Sequence, residues 1–155
     1  MSIVNRTKAK IIAEIWRDDH KKIVFTNGCF DILHRGHIEY LRKAKLLSDV
    51  LIIGLNGNES VQRLKGEPRP YQDEQDRAII LSALEMVDLV VIFEEDTPLK
   101  LICELKPDIL VKGGDYDFHS VVGASEVESW GGTVKIIPFL KGFGTSKLVK
   151  KIIDG

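Results

Sequence analysis

Short apolar runs alternating with helical stretches predict an α/β fold, a single doubly wound domain built on a five-stranded parallel sheet. Apolar runs of strand length recur at residues 23–25, 50–55, 87–93, 109–112 and 134–138, without the polar alternation of a half-solvated strand. Segments of helical pattern stand between them at 38–47, 74–84, 99–105 and 122–130. Right-handed crossovers then put helices on both faces of the sheet. A length of 155 residues suits one such domain with a core of its own.

The elements follow in order. A leading helix at 7–18 places Ile11, Ile12, Ile15 and Trp16 on one face. The first strand, 23–25, runs into a tight loop at 26–33, and the tetrad His34-Arg35-Gly36-His37 introduces the helix at 38–47. The second strand ends in a connection at 56–70 whose Pro and Gly content breaks regular structure. The helix at 74–84 leads to the third strand, and Thr97-Pro98 fits entry into the helix at 99–105. The fourth strand runs into Gly113-Gly114-Asp115, and the fifth into a turn at 142–146 that opens a last helix at 146–153. Residues 1–20 thus form a leading helical segment and 21–153 the core, with no repeat, linker or low-complexity tract.

Composition excludes several classes. A net charge of −1 gives no broad pull toward nucleic acid or an anionic membrane. No apolar run approaches the ~18 residues of a membrane span, and residues 1–6 lead into a charged segment instead of a signal-peptide core. A cytoplasmic protein is expected. Cys29 and Cys103 match no zinc or redox spacing. Cys29 reads as a small residue in a tight loop and Cys103 as core, with no disulfide. His20 and His119 read as surface residues, and Asp18-Asp19 and Glu94-Glu95-Asp96 as solvated turns and helix starts.

In doubly wound sheets ligands sit beyond the carboxyl ends of the strands, where the winding reverses. The loops at 26–37, 56–70, 113–115 and 142–146 all leave those ends, so distant motifs converge on one cleft. Two histidines three residues apart at a helix start project to one side, beside unpaired N–H groups and a positive dipole end. That combination is a phosphate pocket. His34 and His37 can donate to phosphate oxygens, and Gly28 and Gly36 admit a close backbone approach. Thr26, Asn27, Cys29 and Phe30 belong to the same loop, while Arg35 points to solvent. Asp31 caps the loop or steers a magnesium ion. Lys45, eight residues past His37, shares its helix face. Arg63, Lys65 and Arg69 lie in RLKGEPRP, where a planar fork and mobile ammonium groups suit an acceptor phosphate or departing pyrophosphate. Arg77 is a weaker candidate. Gly113 suits close passage by a base or ribose, and Asp115 a ribose hydroxyl, a metal or a turn. Gly142, Thr145 and Ser146 open a helix that can hold a triphosphate. No P-loop and no G-x-G-x-x-G follow a strand, which excludes the P-loop kinases and dinucleotide dehydrogenases.

The run VFTNGCFDILHRGH at 24–37 resembles the HxGH nucleotidyltransferases, which move a nucleoside monophosphate from a triphosphate to a phosphate-bearing acceptor. RLKGEPRP at 63–70, FEEDTP at 93–98 and LVKGGDY at 110–116 resemble the D-glycero-β-D-manno-heptose 1-phosphate adenylyltransferase family. In that branch the domain stands alone or is fused behind a sugar kinase. The resemblance implies a Rossmann-like fold, ATP and a sugar 1-phosphate as partners, and Mg²⁺ with the ATP. It also implies a phosphate-stabilising lysine at Lys45, matched here by Ala44-Lys45. Gly144-Thr145-Ser146 stands where the family has Ser-Thr-Thr, and Phe139 where related cytidylyltransferases carry an arginine. Glycerol-3-phosphate cytidylyltransferase, which shares the tetrad, is the enzyme alternative, with the missing arginine counting against it, and a nucleotide sensor without turnover is the other. A homo-oligomer, with a dimer as the candidate state, is expected.

Overall fold

The computed structural model describes residues 2–114 and 120–155; Asp115, Tyr116 and His119 lie outside the described residues. A parallel sheet contains β1 (Ser2–Ile3), β2 (Ile23–Gly28), β3 (Val50–Asn56), β4 (Leu89–Phe93), β5 (Ile109–Gly113) and β6 (Thr133–Ile137), in the order β1-β4-β3-β2-β5-β6. Six strands replace the five expected. The addition, β1, pairs Ser2 with Leu89 and Ile3 with Val90 at one edge. Two residues carry no periodicity, so no pattern marks it in advance.

Every residue of β3, VLIIGLN, is buried, as a central strand covered on both faces requires. The helices α1 (Arg6–Asp18), α5 (Leu99–Leu105) and α6 (Ala124–Ser129) share a core with Phe25, Ile52, Val91 and Leu110 on one face. On the other, α2 (Arg35–Lys45) and α4 (Glu74–Ser82) pack against Val24, Leu51, Ile53 and Val111. In α1 the inward stripe is Ala9, Ile12, Ala13 and Trp16; Ile11 and Ile15, expected on the core face, are more than half exposed. The small alanines let this helix approach closely, and that rotates the stripe away from the larger isoleucines. Cys103, expected in the core, is half-buried on α5, whose buried residues are Leu101, Ile102 and Leu105.

Part of the loop expected at 56–70 is helix: α3 (Asn58–Lys65). Its apolar residues Val61 and Leu64 stand one turn apart, and Gly66, at φ 76°, ends it. The last helix, α7 (Thr145–Ile153), has no buried residue. No helix among the described residues is long and apolar enough to cross a membrane. From β2 the chain winds outward through β3 to β4, then returns across the sheet to β5 and β6. The winding therefore reverses between β2 and β5, and a crevice opens at their carboxyl ends.

Candidate active site

A cleft of about 680 Å³ occupies that position. Its floor is the exit of β2 at Asn27 and Gly28, continued by Cys29, Phe30 and Asp31. One wall takes Asn56 from β3 and Val61, Leu64 and Lys65 from α3; the other takes Lys112 and Gly113 from β5 and Phe139 beyond β6. Thr145 and Ser146, the first residues of α7, close one end, and Asp96, Thr97 and Pro98 the other. Four of the loops expected to converge do so, joined by the exit of β4.

His34 is the N-cap of α2, in extended backbone with no side-chain capping bond, and His37 sits in the first turn. The imidazoles stack, with ring centroids 3.9 Å apart and 19° between planes. Phe30 tilts onto the far side of His37 at 5.3 Å. The Nδ1 atoms of both histidines are buried without a hydrogen-bond partner. Burial, reinforced by neighbouring His34, pushes His37 down to about 4, and burial lowers His34 as well. Both shifts favour the neutral imidazole.

That burial has a measurable consequence. In the unfolded chain His37 titrates near 6.5, so between about 6.5 and about 4 only the unfolded state holds the extra proton. Stability is fully present above that window and falls as pH drops through it. His34 acts in the same direction. Urea midpoints should decline from pH 7 to pH 4.5, and His37→Gln should flatten the decline. An identical slope in the variant would contradict a buried neutral imidazole.

The glycines make room for the protein's own rings. A Cβ at Gly36 would stand 3.0 Å from the His34 ring and 3.1 Å from Phe143 Cβ; one at Gly113 would stand 2.5 Å from the Phe139 ring. Gly28 likewise sits under Phe30. The close approaches expected of a ligand are thus made first by side chains that shape the cleft.

Of the predicted cations, Lys65 and Arg69 line the cleft. Arg69 Nη1 donates to Asp31 Oδ2 at 2.6 Å, and its guanidinium lies 4.2 Å over the Tyr71 ring. Asp31, 5% exposed, also accepts from the backbone N–H of Tyr71 and Gln72 at 2.7 and 3.1 Å. It therefore caps a distant segment instead of its own loop, and its oxygens are committed to protein donors. Lys112 also lines the cleft, where burial lowers its pKa. Burial raises that of Cys29.

Arg77, 1% exposed, is a structural clamp. It donates to the carbonyls of Cys29 (2.7 Å), Asn56 (2.8 Å) and Gln72 (3.0 Å), and to Asn58 Oδ1 (2.9 Å). One side chain thereby ties the β2 loop, the β3 exit and the segment before α4. Arg77, the weaker candidate for a phosphate-binding cation, is not among the residues that line the cleft, and its partners on the β2 loop and the β3 exit leave no local pattern to mark the structural role.

The structure places other candidates away from the cleft. Lys45 ends α2, its Nζ donating to Asp88 Oδ2 at 2.6 Å and to the carbonyl of Asp49. Asp88 in turn accepts from Leu51 N, at the amino end of β3. Eight residues of helix carry Lys45 about 12 Å along the axis, toward the amino ends of the strands and away from His37. Sharing a face did not mean sharing a site. The Thr26 side chain is fully buried, its hydroxyl 2.6 Å from Tyr40 Oη between sheet and α2. Arg63 points outward to Asp96 Oδ1 at 2.7 Å and to the carbonyl of Glu94. Gly142, at φ 90°, lies in the exposed turn before α7. Arg35 is exposed as expected, 5.8 Å from the Phe143 ring, and His20 is exposed.

Comparison with known proteins agrees with this geometry. A family model described as cytidylyltransferase-like matches residues 25–147. The bifunctional protein HldE of Pelobacter propionicus is 53% identical over 98% of this chain, and that of Campylobacter jejuni 56% over 96%. In each case the match spans 31% of the relative, so the chain covers about a third of the length of these curated relatives. The crystal structure of a lipopolysaccharide core biosynthesis protein from Thermoplasma volcanium is similar at TM-score 0.64 and 36% identity, over 79% of this chain and 99% of that one. Pantoate–β-alanine ligase from Francisella tularensis, at TM-score 0.65 and 19% identity over 100% of this chain and 78% of the other, shares the fold.

Proposed function

The chain belongs to the cytidylyltransferase-like family, and we propose that it is an adenylyltransferase that moves AMP from ATP to a sugar 1-phosphate. The acceptor proposed is D-glycero-β-D-manno-heptose 1-phosphate; the products are the ADP-sugar and pyrophosphate. One observation carries the reading: two stacked, neutral imidazoles with buried, unpartnered Nδ1 atoms at the start of α2, beside a cleft lined by Lys65, Arg69 and Lys112. Identity of 53–56% with HldE proteins and the likeness to a lipopolysaccharide core biosynthesis protein from Thermoplasma volcanium support the sugar acceptor.

In this reading an oxygen of the sugar phosphate attacks the α-phosphorus of ATP, and the bond to the β-phosphate oxygen breaks as pyrophosphate leaves. No covalent enzyme intermediate is needed; positioning and preorganised donors carry the catalysis. His34, His37 and the N–H groups opening α2 face the charge that develops on the α-phosphate. Asn27, Gly28, Cys29, Phe30, Gly36 and Gly113 shape the nucleotide side of the cleft, and the start of α7 at Thr145 and Ser146 holds the triphosphate. Lys65 and Arg69 bind the acceptor phosphate. Lys65→Ala should then raise the KM for the sugar phosphate about tenfold with ATP affinity nearly unchanged, measured by initial rates beside calorimetry. The reverse pattern would move Lys65 to the leaving group. The enzyme is proposed to act in the cytoplasm as a homo-oligomer, with a dimer as the candidate state.

Magnesium is proposed to enter as MgATP, the true substrate. Asp31 is committed to Arg69 and two backbone N–H groups, and no cluster of three or more metal-ligating side chains occurs among the described residues. In this reading the triphosphate itself supplies most of the ligands. EDTA should abolish turnover, because an unneutralised pyrophosphate leaves poorly. A screen of ATP and CTP against phosphorylated acceptors, followed by pyrophosphate release, tests the whole reading. ATP should be preferred, since Phe139 stands where cytidylyltransferases carry an arginine; a preference for CTP with glycerol 3-phosphate would replace the reading with its alternative.

A further inference from the structure

We infer that Asp31 is a positioning residue that presets Arg69 as the phosphate-binding cation of the cleft wall. The inference rests on the reading above only in calling the bound group an acceptor phosphate. Asp31 sits two residues past Cys29 on the β2 loop, buried to 5% exposure, and reaches across 38 positions of sequence to Arg69 Nη1 at 2.6 Å. Its other oxygen accepts from Tyr71 and Gln72 N–H. The Tyr71 ring backs the guanidinium at 4.2 Å, and Arg77 holds the same segment through the Gln72 carbonyl at 3.0 Å.

Arginine's long stem loses rotamer freedom when it is immobilised. Here that ordering is carried out in the folded protein, by a carboxylate on one edge of the fork and an aromatic face beneath it. A single carboxylate oxygen occupies Nη1; the planar fork has further donors to offer a phosphate. Asp31 also fixes the distance between the loop that carries Phe30, against His37, and the Arg69 cation. A phosphate seated on Arg69 is thereby placed relative to the histidine pair, which is what an in-line transfer between two phosphates demands. The same geometry explains a carboxylate buried beside a phosphate site, where bare negative charge would repel the ligand: its charge is spent on Arg69.

The test is a double-mutant cycle with Asp31→Asn and Arg69→Gln, read on the Kd of inorganic phosphate by calorimetry and on the KM and kcat of adenylyl transfer. Asparagine keeps an oxygen for the Tyr71 and Gln72 N–H groups and removes the charge from Arg69. Each single variant should weaken phosphate binding about tenfold, and the double variant about tenfold as well, because Asp31 acts only through Arg69. The KM for sugar phosphate should rise in parallel while ATP affinity holds. A hundredfold loss in the double variant, or wild-type binding in Asp31→Asn, would overturn the inference. Should Asp31→Asn fail to fold, Tyr71→Leu replaces it: a loss of about threefold, vanishing in the Arg69→Gln background, supports the preset cation, and an equal loss in both backgrounds overturns it. The phosphate measurement needs no turnover, so absence of transfer in the wild-type protein would refute the functional reading separately.

Discussion

His37→Ala is expected to lower kcat by about a hundred- to a thousandfold, about 2–4 kcal/mol of transition-state stabilisation, with the fold intact. The ring lines the cleft, is held between His34 and Phe30, and keeps a buried nitrogen with no protein partner. Such a group costs folding energy and is retained where a ligand completes its bonding. His34→Ala should cost a similar amount, since it removes both a donor and the ring against which His37 stacks. Lys45→Met belongs beside them as the contrast. It breaks an ion pair with Asp88 at the amino ends of the strands and should leave kcat within about twofold. Circular dichroism and initial rates on the three variants check the set. Near-normal turnover in His37→Ala would remove the pair from the mechanism, and a large loss in Lys45→Met would restore the lysine to it.

The largest effect on stability is expected at Arg77. Arg77→Met should destabilise the protein by about 3–5 kcal/mol, the range for breaking a buried charge-assisted network. Methionine fills much of the volume but leaves the Cys29, Asn56 and Gln72 carbonyls without their donor, and these come from three separate segments. Arg77→Lys should rescue only part of the loss, because one ammonium on a flexible stem cannot reproduce a fork bonded on several sides. Urea unfolding measures both. A change under 1 kcal/mol for Arg77→Met would mean that water satisfies those carbonyls as well as the guanidinium does.

The fold was largely legible because its strands are continuous apolar runs and its helices carry a 3.6-residue stripe. The element α3 went unread although Val61 and Leu64 hold helical spacing, because the Gly and Pro content of 66–70 dominates that stretch. The histidine pair was readable because its geometry is local: a spacing of three from the N-cap into the first helix turn fixes the stack. Lys45 was misread for the complementary reason. Helical periodicity gives the face on which a residue lies, but distance along the axis decides which end of the sheet it serves. Asp31 and Arg77 depend on partners as far as 41 and 48 positions away, and no local pattern records such pairings. Thr26 shows the same limit within a strand, where its hydroxyl turns to Tyr40 and not to the cleft.

The most direct measurement of the central claim is ³¹P nuclear magnetic resonance of the wild-type protein with MgATP and D-glycero-β-D-manno-heptose 1-phosphate. The expected result is loss of the ATP and sugar phosphate signals in equal measure, with a new pyrophosphate diester and free pyrophosphate appearing in equal amounts. His37→Ala should show neither product on the same timescale. Unchanged spectra with the wild-type protein, or a diester formed only when CTP replaces ATP, would contradict the account.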